Sequence, residues 1–153
     1  MTTLKRNIET RLDPAAAFAF VADFANAMRW DPGVATSEAI GTGPVGVGSR
    51  YRLGVRLGGR VAPMEYRITT YEAPNRVVLK GEGSGVTAVD DIHFAPVASG
   101  SGTRIEYSAD IQLGGLMRLA QPFLGRAFEK LARNALDGMR RTLDERADAG
   151  ARS

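Results

Sequence analysis

The stretch GGLMRLAQPFLGRAFEKLARNALDGMRRTL, residues 114–143, decides how the rest of the chain is read. Leu116, Leu119, Ala120, Phe123, Leu124, Ala127, Phe128, Leu131, Ala135, Leu136, Met139 and Leu143 recur at three- and four-residue spacing on an otherwise basic segment. That is the pattern of a helix with one apolar face. Pro122 followed by Gly125 predicts a helix that is kinked or begins in two pieces, because proline lacks the amide proton and obstructs the preceding turn. An apolar helix face needs a covering surface, and upstream the sequence offers a series of alternating strands. The predicted product is a long helix laid across a curved antiparallel sheet, with room for a pocket between them.

Outward from this stretch, Ile105, Tyr107, Ala109, Ile111 and Leu113 alternate with polar residues, and Ser99-Gly100-Ser101-Gly102 turns back into the strand before them. In that strand Val86, Ala88, Asp90, Ile92 and Phe94 share one face and His93 lies on the other. Val77 to Leu79 reads as a short strand. Met64, Tyr66 and Ile68 mark another, which Gly58-Gly59 joins as a hairpin to Tyr51, Leu53, Val55 and Leu57. Val34 to Ile40 and Leu4 to Leu12 complete the strands. Asp13-Pro14 offers a cap and a first helical residue for a short helix through Val21, and a further turn or two covers Phe24 to Arg29. The links are too short for parallel crossovers. The expected fold is therefore α+β: a strongly bent antiparallel sheet of about six or seven strands gripping a long C-terminal helix, with two short helices after the first strand. Residues 1–147 read as one domain and 148–153 as a disordered tail.

At 153 residues and 44% hydrophobic composition, the chain can bury one core. It contains no cysteine and a single histidine, so thiolate chemistry is excluded, and neither a metal nor a cofactor is expected. The N-terminus lacks the apolar stretch of a secretory signal, and no segment approaches the ~18 apolar residues of a membrane span. The reading is a cytoplasmic protein without stable membrane insertion. A net charge of +3, spread along the chain, suggests a solvated basic surface and no nucleic-acid partner.

Several local motifs occur in a fixed order: Asp13-Pro14 with Phe18 and Val21-Ala22-Asp23, then Trp30-Asp31-Pro32-Gly33-Val34, then Gly46-Val47-Gly48-Ser49-Arg50-Tyr51. Tyr71-Glu72-Ala73-Pro74-Asn75-Arg76, Phe94-Ala95-Pro96 and Gly102-Thr103-Arg104 follow. From Leu4 to Leu143 the chain resembles the START-like superfamily, also called SRPBCC, in its polyketide cyclase/dehydrase-type branch. The resemblance implies a helix-grip fold and a hydrophobic or amphipathic small-molecule ligand, such as a lipid or polyketide, held between sheet and helix. It implies no particular reaction, because the superfamily has no universal catalytic motif.

Asp90 is the most informative polar residue, since period-two counting places it beside Ile92 and Phe94. On a cavity wall it would act as a general acid, a base or a ligand anchor; otherwise it is a bonded structural carboxylate. Tyr51, Tyr66 and Tyr107 lie on predicted inner faces, where a ring packs and a hydroxyl can orient a polar ligand atom. Tyr66 and Tyr107 join Asp90 as candidate catalytic groups. Trp30, Met64, Ile92, Met117 and Phe123 complete the candidate ligand wall, with helix-sheet core as the competing role. Ligand binding leads; a cyclase, aromatase or dehydratase and a protein-interaction module are the alternatives.

Overall fold

The computed structural model describes residues 2–151. Residues that alternate in polarity form seven strands: β1 (Thr2–Thr10), β2 (Val34–Ile40), β3 (Arg50–Leu57), β4 (Arg60–Glu72), β5 (Arg76–Gly83), β6 (Val86–Pro96) and β7 (Thr103–Leu113). They make one antiparallel sheet in the order β1-β7-β6-β5-β4-β3-β2. From β2 to β7 every strand pairs with its neighbour in sequence. Between β3 and β4 the turn is made by Gly58 and Gly59 at φ 53 and φ 83, the doubly positive conformation that matches the twist of a two-residue hairpin. β1 lies beside β7 instead, from Thr2 opposite Ile111 to Thr10 opposite Thr103.

Helices carry the chain from β1 to the far edge. In α1 (Pro14–Ala22) the Asp13 side chain accepts from the Ala16 amide at 3.1 Å, with Pro14 in the first turn. A 3₁₀ turn over Phe24–Asn26 leads into the single turn α2 (Ala27–Trp30). Phe18 meets Tyr71 and Phe94 edge-on, each with ring centroids 5.2 Å apart, and Phe24 packs against Trp30 and Tyr66 at 6.2 and 5.3 Å. Aromatic rings thus fill much of the sheet's concavity.

The long helix α3 (Gly125–Ala151) lays Phe128, Ala135, Leu136, Met139 and Leu143 into the concave side. The start in two pieces is as the sequence predicted: residues Gly115–Phe123 form a separate 3₁₀ segment. Its side chains depart from the expectation. Leu116, Met117, Leu119 and Phe123 lie on the surface, so Met117 and Phe123 do not line the space between the sheet and α3. A 3₁₀ turn takes three residues, and a stripe counted at 3.6 loses its register before α3 begins. The helix also runs through the expected tail as far as Ala151, with Arg11 paired to Asp144 and Asp148 at 3.5 and 2.9 Å. Residues 152 and 153 of that tail lie outside the described residues.

Candidate ligand-binding cleft

Between the sheet and α3 lies an opening with a cavity volume of about 150 Å³. Ala88, Ala109 and Ile111 give it a floor, and Phe128, Ala132 and Leu136 of α3 roof it. Five polar side chains also line it: Arg6, Asp31, Tyr66, Asp90 and Tyr107. Period-two alternation places most of them, since Asp90 follows Ala88 on β6, Tyr107 precedes Ala109 on β7, and Arg6 stands between Leu4 and Ile8 on β1.

Tyr66 reaches the cleft from β4, two strands away. Gly81 of β5 lies directly opposite both Tyr66 and Ala88, and a Cβ at Gly81 would come within 2.5 Å of the Tyr66 ring. The missing side chain gives the ring a path across β5. Asp31 comes from the loop after α2, which α3 holds in place. A Cβ on Gly138 would collide with the Trp30 carbonyl, so only glycine admits this approach, and the Thr142 hydroxyl donates to the Arg29 carbonyl at 3.2 Å. Asp31 then accepts from the Gly33 amide at 2.7 Å.

The Tyr107 hydroxyl donates to Asp90 Oδ2 at 2.7 Å. Burial pushes Asp90 up to about 7; the Tyr107 hydrogen bond opposes the shift, and the charges of Asp31 and Asp110 add to it. Burial likewise raises Asp31 to about 6, against the Gly33 amide. Tyr66 is held well above its ordinary value by burial and then by Asp90 and Asp31, so it stays a hydroxyl. Among the described residues, neither Asp90 Oδ1 nor the Tyr66 hydroxyl has a hydrogen-bond partner. Neither is among the fully buried unpartnered atoms, so both keep solvent contact in the cleft and are open to water or to the polar group of a ligand.

Of the nine candidate wall residues, the cleft brings together Tyr66, Asp90 and Tyr107. Trp30, Tyr51, Met64 and Ile92 are buried in the adjoining core instead. Trp30 packs edge-on against Tyr107 at 6.3 Å, and its indole N–H is buried without a partner among the described residues. Tyr51 lies beside Asp23 and Ser49, and burial raises it to about 12. His93 faces outward, 3.1 Å from Asp91, which also takes the Arg76 fork. On that outer face Arg50 pairs with Glu65 and Arg52 with Glu38. Asp31 and Arg6 were not picked out from the sequence. Arg6 carried a signal, its place between two apolar residues of one strand face; Asp31 stands in the Trp30–Val34 motif, but a loop residue has no period that would aim it at the cleft.

The family model described as polyketide cyclase / dehydrase and lipid transport matches residues 1–144. No curated protein matches the chain in sequence. A START superfamily protein from Mycobacterium smegmatis superposes with TM-score 0.72 at 14% identity, over 96% of this chain and 97% of that one. A protein from Thermus thermophilus gives TM-score 0.74 at 16% identity, over 97% and 99%. The di-domain ARO/CYC BexL from the BE-7585A biosynthetic pathway gives 0.71 at 16% identity, over 94% of this chain and 47% of that one. At these identities the likeness is one of fold.

Proposed function

Because the chain belongs to the polyketide cyclase / dehydrase and lipid transport family, we propose that its cleft takes up an apolar small molecule bearing one hydrogen-bonding substituent. The observation that supports this reading is the pairing of an apolar wall with two unpartnered polar groups, Asp90 Oδ1 and the Tyr66 hydroxyl. A volume of about 150 Å³ is that of a cavity accepting one benzene-sized ring and lies below the usual span of ligand pockets, ~300–1,000 Å³. A lipid or polyketide would place one ring or chain end inside and leave the remainder at the mouth, where Arg6 and Leu131 are exposed.

Phenol and 2-naphthol are suitable probes, followed by amide chemical shifts in NMR titrations. Phenol is expected to move the amides around Ala88, Ala109 and Ala132, and 2-naphthol to bind more weakly. Ala135→Leu, which fills the cleft from the helix side, is expected to weaken phenol binding about tenfold or more, some 1.4 kcal/mol. Shifts mapping elsewhere, or unchanged affinity in the variant, would remove the cleft as the site.

A second reading is supported by the two raised carboxyl groups. Asp90 at about 7 and Asp31 at about 6 sit where an acid and a base can both be present near neutral pH, the condition for proton transfer in cyclisation or dehydration. In this reading Asp90 exchanges a proton with the bound substrate and the Tyr66 hydroxyl donates to its carbonyl oxygen. Asp90→Asn would then abolish turnover of a polyketide-like substrate while leaving affinity within about threefold, roughly 0.6 kcal/mol. Retained turnover would exclude Asp90 from catalysis.

A further inference from the structure

The segment Gly115–Phe123 is built inside out. Its polar Gln121 is buried, 8% exposed, whereas Leu116, Leu119 and Phe123 are 87%, 74% and 86% exposed. Gln121 is fixed by three hydrogen bonds: its carbonyl accepts from the Leu113 amide at 3.2 Å, and its amide donates to the Ile111 carbonyl at 2.9 Å and the Thr2 hydroxyl at 3.1 Å. One glutamine therefore holds the segment, and its large apolar side chains contribute little to the fold. Of the eight large hydrophobic residues exposed among those described, four fall here, Leu116, Met117, Leu119 and Phe123, and a fifth, Leu131, follows in the first turns of α3. Such clustering marks a contact surface, since scattered exposure is the ordinary case.

The charge around it is one-sided. Between residues 111 and 133 stand Arg118, Arg126, Lys130 and Arg133 against the single acid Glu129. None of these four cations makes an ion pair among the described residues, unlike Arg50, Arg52 and Arg76 on the sheet. The exposed leucines and phenylalanine need an apolar phase, and the unpaired cations need anions at its boundary. A second copy joined by a twofold axis would supply the first but would set like charges against each other. A nucleic acid would supply the second and leave the apolar side chains in water.

We propose that this segment and the first turns of α3 dock on the surface of a bilayer containing anionic lipid. Leu116, Leu119 and Phe123 enter the acyl boundary, and Arg118, Arg126 and Lys130 meet the headgroups. Docking is peripheral, because no described helix is long and apolar enough to cross a membrane. Phe128 and Leu131, next along the chain, belong to the cleft wall, so docking sets the cleft beside the lipid phase. The inference stands on the surface alone and holds whether or not the cleft binds a ligand.

Flotation of the full chain with phosphatidylcholine vesicles, with and without phosphatidylserine, tests it. Binding is expected only with phosphatidylserine, and added salt is expected to reverse it. Each of Arg118→Gln, Arg126→Gln and Lys130→Gln is expected to weaken it about fivefold. The double variant Leu119→Ser/Phe123→Ser is expected to lose binding with an unchanged melting temperature, since both side chains are already in water. Absence of binding to phosphatidylserine vesicles, or full binding by a folded serine variant, would overturn the proposal. So would a wild-type dimer in sedimentation that the serine variant abolishes, without vesicle binding.

Discussion

Replacing Asp90 with asparagine is expected to stabilise the protein above neutral pH. In the unfolded chain this carboxyl ionises near 3.8, whereas in the folded protein burial holds it protonated up to about 7. Below pH 3.8 both states carry the proton and the group is neutral in effect. As the pH rises from there to about 7, only the unfolded chain gains from ionisation, so wild-type stability falls through this window. The loss reaches about 4 kcal/mol for a shift of this size, or roughly 10 °C in melting temperature for a chain of this length. Asparagine has no proton to lose, and its carbonyl can still accept from the Tyr107 hydroxyl. Thermal unfolding of both proteins from pH 3 to 9 is therefore expected to give curves that meet at the acid end and separate towards pH 7. Parallel curves would show that Asp90 titrates as an ordinary exposed carboxylate.

Gly138→Ala carries the second large effect, with a sign opposite to helix propensity. In an exposed helix interior alanine is worth about 1 kcal/mol over glycine. Here the new Cβ meets the Trp30 carbonyl, with Pro32 Cδ also 3.3 Å away, and backbone cannot swing aside as a flexible side chain can. Overpacking of this kind destabilises by about 1–3 kcal/mol, and the upper end is expected because α3 must lift from the loop. The melting temperature is expected to fall by roughly 5–10 °C. Gly125→Ala in the same helix, where a Cβ meets nothing within 4 Å, is the control and is expected to be neutral or mildly stabilising. Because the Trp30 loop also carries Asp31, Gly138→Ala is further expected to alter the NMR titration of Asp31 near pH 6.

The sheet was legible because strand alternation is a local signal. Tyr51 and Leu53, Met64 to Ile68, Ala88 to Phe94 and Ile105 all turn inward as their parity requires, and Val34–Ile40 has the bounds read from its sequence. The facing of Asp90 and Tyr107 followed from the same count, whereas their meeting across β6 and β7 depends on strand register, which alternation does not give. The apolar spacing from Leu116 to Leu124 was equally regular, yet these residues took a 3₁₀ path. Spacing alone does not show that Gln121 finds three partners on β7 and β1. The size of the cleft was hidden for a related reason. Phe18, Phe24 and Trp30 sit in helical segments that strand parity does not reach, and how much room they leave depends on ring orientations set by contacts far apart in sequence. Asp31 belongs to the cleft only because Gly138, more than a hundred residues later, lets its loop come close.

The two halves of α3 are secured unequally. Its C-terminal half is clamped by the Gly138 approach to Trp30, by Thr142 on the Arg29 carbonyl and by Asp144 and Asp148 on Arg11. Its N-terminal half rests on Phe128, Leu136 and a few small side chains around the cleft, with no polar tie of this kind among the described residues. A rod fixed at one end moves most at the other. To admit a guest wider than one ring, the molecule would pivot about its distal clamp and raise the proximal turns, so guest size would be governed by leverage in the helix while the sheet stayed unchanged.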